Sequence, residues 1–239
     1  MCKIYSFFIS IILLFSLVCP VYAAPLQTLS IEFTREIVEN KKSDKTEGIL
    51  HYDAKNAKVV IEVTKPLKQV MVAKENILQI YYPVEKQAFR FISKGPVPLP
   101  LVESIIQTTQ AEFGLTTLGY TLDKHEIVDK VLYTYWKPHE KVKEHLGIAI
   151  LGMRDDKLIS AEVKNPKGQL IARTFYQNHH KTGTNFIPMK VTATVYNEEA
   201  NVIRFEKITY RKPKVNLKME NPMLNFTIPT SVEVKEIKW

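Results

Sequence analysis

The chain has 239 residues, 45% of them hydrophobic, enough to build a sizeable core and too many for a disordered protein. Its 33 Lys and Arg against 25 Asp and Glu give a formal charge of +8, yet the lysines are scattered and Arg211-Lys-Pro-Lys214 is the densest cluster. That spread argues against nucleic-acid binding and leaves an attraction to anionic surfaces, membranes included.

Met1–Ala23 has the parts of a secretory leader: Lys3 near the start, an apolar run from Phe7 to Cys19, Pro20, and Val21-Tyr-Ala23 before a cut expected after Ala23. The run is shorter than the roughly 18–20 residues that cross a bilayer core, so a permanent anchor helix is the weaker alternative. A lipid anchor on Cys19 is a further alternative, although Val18 stands where a lipidation box wants a small residue. Both cysteines, Cys2 and Cys19, fall inside this leader. Residues 24–239 are therefore expected to form one exported domain with no disulfide, no thiolate metal ligand and no thiol nucleophile, held together by its hydrophobic core.

Thr28–Val38 reads as a first strand, with Leu29, Ile31 and Phe33 at even spacing and a helix as the rival, followed by a charged turn over Asn40–Lys45. Then come five short segments, Gly48–His51, Lys58–Val63, Gln69–Ala73, Ile77–Tyr82 and Gln87–Ile92, rich in β-branched and aromatic residues and separated by turns. They predict an antiparallel meander. In Lys58–Thr64 one face shows Val59, Ile61 and Val63 and the other Val60, Glu62 and Thr64, so both faces are partly apolar.

Three prolines in Lys94–Pro100 force an extended connector. Leu101–Gly114 is the one convincing helix, with Leu101, Ile105 and Phe113 along an apolar stripe and Gly114 suited to a left-handed end. Its polar side carries no Lys or Arg, which favours packing on a sheet over lying on a membrane. From Thr116 the strand pattern returns in Tyr120–Lys124, Lys130–Trp136, Gly147–Met153, Leu158–Lys164, Leu170–Gln177, Phe186–Tyr196, Val202–Tyr210, Leu224–Ile228 and Ser231–Ile237. About a dozen strands at short intervals predict a mainly β protein, a strongly curved antiparallel sheet or half-open barrel with a helical lid.

Catalytic patterns fail one by one. His139 and His145 are six apart, whereas a helical zinc pair needs four, and the adjacent His179 and His180 suit a solvated loop. No Gly-x-Ser-x-Gly elbow and no Gly-x-Gly occurs among the eight glycines. Asp155-Asp156 and Glu198-Glu199 fall in predicted turns, where acidic residues are common. The residues point to no enzyme, metal or cofactor.

What remains is a surplus of apolar side chains on strands whose opposite face is also apolar. A half-open sheet with a helix over its mouth predicts a water-poor hollow for an apolar ligand, the alternative being that these residues simply fill the core. The expected wall is Ile61, Val63, Met71, Leu78, Ile80, Phe89 and Phe91, with Trp136, Ile148 and Phe175 from the second half, and Leu101, Ile105 and Phe113 as lid contacts.

Phe33-Thr-Arg, Gly48-Ile-Leu-His-Tyr52, Lys65-Pro66, Ile77-Leu-Gln-Ile-Tyr-Tyr-Pro83 with Lys86-Gln-Ala88, and the closing Leu224-Asn-Phe-Thr-Ile-Pro229 with Val232-Glu-Val234 resemble the LolA-like outer-membrane lipoprotein carrier family. The resemblance spans most of the chain after the leader. It implies a periplasmic half-barrel that shields lipoprotein acyl chains as a monomer, taking them from an inner-membrane donor and giving them to an outer-membrane acceptor. The family's usual arginine has no match in Lys58–Thr64, its Asp-Gly turn is here Glu75-Asn76, and its N-terminal lid helix is missing or short. A periplasmic sensor or assembly factor that binds a protein segment on the same sheet is the alternative.

Overall fold

Burial along the first strand alternates, with Leu29, Ile31 and Phe33 inside and Ser30 and Glu32 half-exposed, the period of two that a one-sided strand imposes. These positions come from a computed structural model that describes residues 26–238 except Pro96, Pro98, Thr184 and 217–220, with the side chains of Pro100 and Ala111 left out. The leader expected over Met1–Ala23 lies outside the described residues.

The strands are β1 (Thr28–Glu39), β2 (Lys42–Asp53), β3 (Lys58–Lys65), β4 (Gln69–Lys74), β5 (Ile77–Tyr82) and β6 (Gln87–Ile92). After helix α1 (Pro100–Thr109) follow β7 (Tyr120–Val128), β8 (Val131–Pro138), β9 (Ala149–Arg154), β10 (Lys157–Lys164), β11 (Leu170–Thr182), β12 (Asn185–Tyr196), β13 (Val202–Val215) and β14 (Val234–Lys238). All belong to one curved, unclosed sheet in the order β14-β6-β5-β4-β3-β2-β1-β13-β12-β11-β10-β9-β8-β7. Each meander is sequential, and the halves meet where β1 pairs with β13. Every pairing is antiparallel except that of β14 with β6, which is parallel. Mainly β, half-open and covered by a helix, the fold is the one expected.

Several local expectations give way. The turn over Asn40–Lys45 shrinks to Asn40 and Lys41, both at positive φ, because β2 begins at Lys42 and pairs with β1 to its end. His179 and His180 lie within β11, where the His179 Nε2–H donates to the Leu158 carbonyl at 2.8 Å. Leu224–Ile228 is no strand: Pro222–Asn225 is a single 3₁₀ turn, capped by the Asn221 side chain, which accepts from the Met223 N–H at 3.0 Å.

The helix is shorter than Leu101–Gly114. Glu103 reaches back to accept the Leu99 N–H at 2.8 Å, which starts it. The Thr108 and Thr109 hydroxyls donate to the Ile105 and Ile106 carbonyls at 2.7 and 2.8 Å, the local competition that weakens a helix interior. Gln110 is extended, and Ala111–Gly114 forms a separate 3₁₀ turn in which Phe113 has φ +53° and Gly114 φ +75°.

The sheet curves around α1. Leu101, Val102 and Ile105 are buried in one cluster with Ile31, Phe33, Leu50 and Ile61 from one arm and Trp136, Leu151, Val191 and Ile208 from the other.

The opposite face of the first arm is apolar for a different reason. Asn221–Phe226 straps across it: the Lys58 ammonium donates to the Leu224 carbonyl at 2.5 Å, and Phe226 stacks on Tyr81 at 6.1 Å. Val60 and Val72 on that face are buried.

Candidate functional site

Cross-strand partners in a sheet share a face. The register therefore lines up Ile31, Leu50, Ile61, Met71, Ile80 and Phe89 as one continuous row across β1 to β6. A second row runs Leu29, Tyr52, Val59, Ala73, Leu78 and Phe91. A third carries Phe33, Gly48 and Val63. All three rows face α1.

The seven wall residues named on the first arm thus sit on a single face. Ile61 and Val63 are buried in the core, and Met71 and Leu78 pack against it half-buried. Ile80, Phe89 and Phe91 continue the rows towards the sheet edge, also half-buried, with Phe89 in ring contact with Tyr82 at 6.1 Å and Phe91 at 6.4 Å. Leu101 and Ile105 press on the core from α1, and Phe113 packs against it from the 3₁₀ turn.

The second arm divides differently. Trp136 is on the concave face and buried, its Nε1–H donating to Thr134 Oγ1 at 2.9 Å. Phe175 is not on that face: it is 46% exposed, while its neighbour Tyr176 points inward and is 6% exposed. Ile148 lies just before β9, half-buried and out of phase with the inward Ala149. The structure does not bring these two to the wall. The signal that separates them is the run Ala172, Thr174, Tyr176, whose even phase matches the inward positions of the partner strand, Ala193 and Val191.

The interior is not an empty hollow. α1 fills most of it, and the cavity left beside the helix measures about 170 Å³. Its lining is Glu103, Ser104 and Gln107 from α1, with Thr174, Tyr176, Val191, Ala193, Glu206 and Ile208 from the sheet. That is well below the roughly 300–1,000 Å³ of ligand pockets.

Glu206 is the charged member that sequence inspection missed. Arg35 donates to one of its oxygens at 2.7 Å and Arg204 to the other at 3.0 Å, so the carboxylate is neutralised inside the concave face. Its partners lie 171 and two positions away, a spacing without a local pattern.

Two tyrosines flank the cavity. The Tyr210 hydroxyl donates to the Leu101 carbonyl at 2.6 Å and receives the Ser104 hydroxyl at 3.0 Å. Burial pushes its phenol well above the usual tyrosine range, and the Ser104 bond partly offsets that. Burial alone pushes Tyr176 up to about 12. Among the described residues, no group of three or more His, Cys, Asp or Glu is placed to hold a metal ion.

No protein-family model matches this chain, and no curated protein matches its sequence. Solved structures match its fold. A LolA superfamily protein from Nitrosomonas europaea superposes with a TM-score of 0.55 at 14% identity, covering 86% of this chain and 92% of its own. A DUF1329 family protein from Desulfovibrio piger does so at 0.56 and 14%, covering 82% and 88%. A domain assigned to outer membrane lipoprotein sorting, from Vibrio parahaemolyticus, does so at 0.54 and 10%, covering 83% and 89%. The LolA-like open barrel inferred from short motifs is the fold of this chain.

Proposed function

We propose that this LolA-like half-barrel is an exported carrier that binds lipoprotein acyl chains, or a related lipid, on the concave face of its first arm. In this reading it works in the periplasm as a monomer, takes its cargo from an inner-membrane donor and surrenders it to an outer-membrane acceptor. No chemical step is needed, so no catalytic residue is assigned.

The observation that carries the reading is the unbroken apolar row from Ile31 to Phe89, which starts beneath α1 and runs out half-buried beyond it. A solid core needs no such extension towards a sheet edge. In this reading α1 occupies the place of the acyl chain and has to give way to it. Uncovering Leu101, Val102 and Ile105 costs about 1.5–3 kcal/mol each, and an incoming chain of about ten methylenes returns about 0.8 kcal/mol per methylene. The two terms are of similar size, which suits a carrier that must both load and unload.

The exposed edge strand β7 favours a second reading. All its residues after Tyr120 are exposed, and an open edge accepts an added strand from a protein segment.

Native mass spectrometry of the protein purified from a bacterial envelope separates the two. A co-purifying acyl lipid, lost in a folded Ile80→Asp variant, supports the carrier. A bound polypeptide supports the second reading, and lipid retained by Ile80→Asp removes the first-arm wall from consideration.

A further inference from the structure

The edge strand β14 prolongs two apolar rows of the first arm by one position each. Its parallel register sets Lys235 beside Phe89 and Ile237 beside Phe91, so the row of Ile61, Met71, Ile80 and Phe89 ends on an ammonium group and its neighbour on an aliphatic side chain. Side chains in one register row share a face, which puts Lys235 on the concave side.

Charge on this edge is otherwise turned away. Of the four charged residues on β5, β6 and β14, Arg90, Glu236 and Lys238 stand in the opposite phase, the convex one that includes the buried Val72. Lys238 is 3.8 Å from Glu236, whereas Lys235 is exposed and makes no ion pair or hydrogen bond with any described residue. Neither row carries a carboxylate, and Glu233 lies before the strand begins.

A lysine at the end of an apolar row has a stem that lies along hydrocarbon and a head that reaches water. The rows therefore have the polarity of an amphiphile, apolar from Met71 to Phe89 and cationic at the rim. From Met71 on β4 to Lys235 on β14 is three strand steps of about 4.8 Å, about 14 Å in all, the reach of an extended lauroyl chain.

We propose that the first-arm wall receives an anionic amphiphile, with a single acyl chain along the row from Met71 to Phe89 and its carboxylate or phosphate head beside the Lys235 ammonium. The assignment rests on the carrier reading and selects, among the cargoes that reading admits, those with a negatively charged head. Blunting an edge against strand addition, the other use of such a lysine, gives no preference among ligands.

The test compares laurate and monolaurin, which share the acyl chain and differ in the charge of the head, in calorimetric titrations at low salt and about pH 8, where carboxylate and lysine are both ionised. Wild-type protein is expected to bind laurate about two- to fivefold more tightly, the worth of one solvent-facing ion pair, and added salt should erase the difference. Lys235→Gln should bring laurate to the level of monolaurin. Lys238→Gln, which removes the same charge from the convex side, should leave the preference in place, and Ile80→Asp should abolish binding of both. Dodecyl phosphate, which should show the same dependence on Lys235, tells a lipid phosphate from a fatty-acid carboxylate by which of the two binds more tightly.

Equal binding of laurate and monolaurin by wild type overturns the head site and leaves the carrier standing. So does a preference for laurate that survives Lys235→Gln, or that Lys238→Gln removes equally. Failure of wild type to bind either probe takes the carrier reading down, and the head site with it. Circular dichroism of each variant confirms that the comparison is between folded proteins.

Discussion

The Tyr210 hydroxyl on β13 donates a 2.6 Å hydrogen bond to the carbonyl oxygen of Leu101, in the first turn of α1. Ser104, one turn further on, donates to the same phenol at 3.0 Å. One buried side chain thus ties the helix to the sheet at two points, next to the apolar contacts of Leu101 and Ile105.

Tyr210→Phe keeps the ring and removes the tie. It leaves the Leu101 carbonyl and the Ser104 hydroxyl short of a partner, so unfolding in urea should show a loss of about 1–3 kcal/mol. If α1 is the cover of the ligand face, the same variant should also take up monolaurin faster in stopped-flow mixing. A stability loss without faster uptake would mean that α1 does not gate the wall.

Alkaline titration should show Tyr176 and Tyr210 ionising last among the tyrosines of the described residues, after Tyr52, Tyr120 and Tyr135, which are also raised. Both folded-state values are raised above the ordinary value of 10.0 by burial, Tyr176 to about 12 and Tyr210 further. The folded state favours the neutral phenol, so the stability it contributes is fully present below pH 10 and is lost as pH rises past 10 towards those values. Phenolate absorbance should show two late-ionising groups that appear only on unfolding, and Tyr176→Phe should flatten some of the alkaline fall in the urea midpoint.

Gly48 is fixed by closeness, not by turn geometry. A Cβ there would overlap the Glu62 carbonyl oxygen on β3 and stand 3.0 Å from the Phe33 ring on β1. Gly48→Ala therefore has to push paired strands apart or displace a fully buried ring. Overpacking of this kind costs about 1–3 kcal/mol, which thermal unfolding should register as a lower Tm with the sheet signal retained.

The strands were legible because their alternation is local: Lys58-Val-Val-Ile-Glu-Val-Thr64 declares a strand with two apolar faces whatever surrounds it. Which face turns inward is not local, since a shift of one residue exchanges the two sets. On the first arm Ile61, Met71 and Ile80 fall in one phase, and the choice agrees with the register. On the second arm two aromatic residues stand side by side, and only the small inward residues Ala172 and Thr174 carry the phase that turns Tyr176 inward and Phe175 outward. The outward face that carries Val60 reads from the sequence as surplus apolar surface, and in the fold it is crossed by Asn221–Phe226, a segment that bonds Lys58 and His51 from more than 150 residues away. Likewise, Arg35 and Glu206 meet only because β1 closes on β13.

That late segment leads to a prediction of its own. The Asn221 amide donates to His51 Nδ1 at 2.7 Å, which leaves the proton on Nε2, and Nε2–H donates to Glu62 at 2.7 Å. His51 is 5% exposed, so water replaces Asn221 poorly. Asn221→Ala should destabilise the fold by about 1–3 kcal/mol, the cost of an orphaned buried acceptor. Phe226→Ala should add the loss of the ring stack on Tyr81, about 0.5–1.5 kcal/mol. Because the strap lies on the convex face, it can loosen without disturbing the rows beneath α1. The double variant should bind an apolar fluorescent dye on the uncovered convex face at urea concentrations well below those that unfold the sheet. Dye binding that appears only together with global unfolding would mean that the strap is inseparable from the core and not a cover laid upon it.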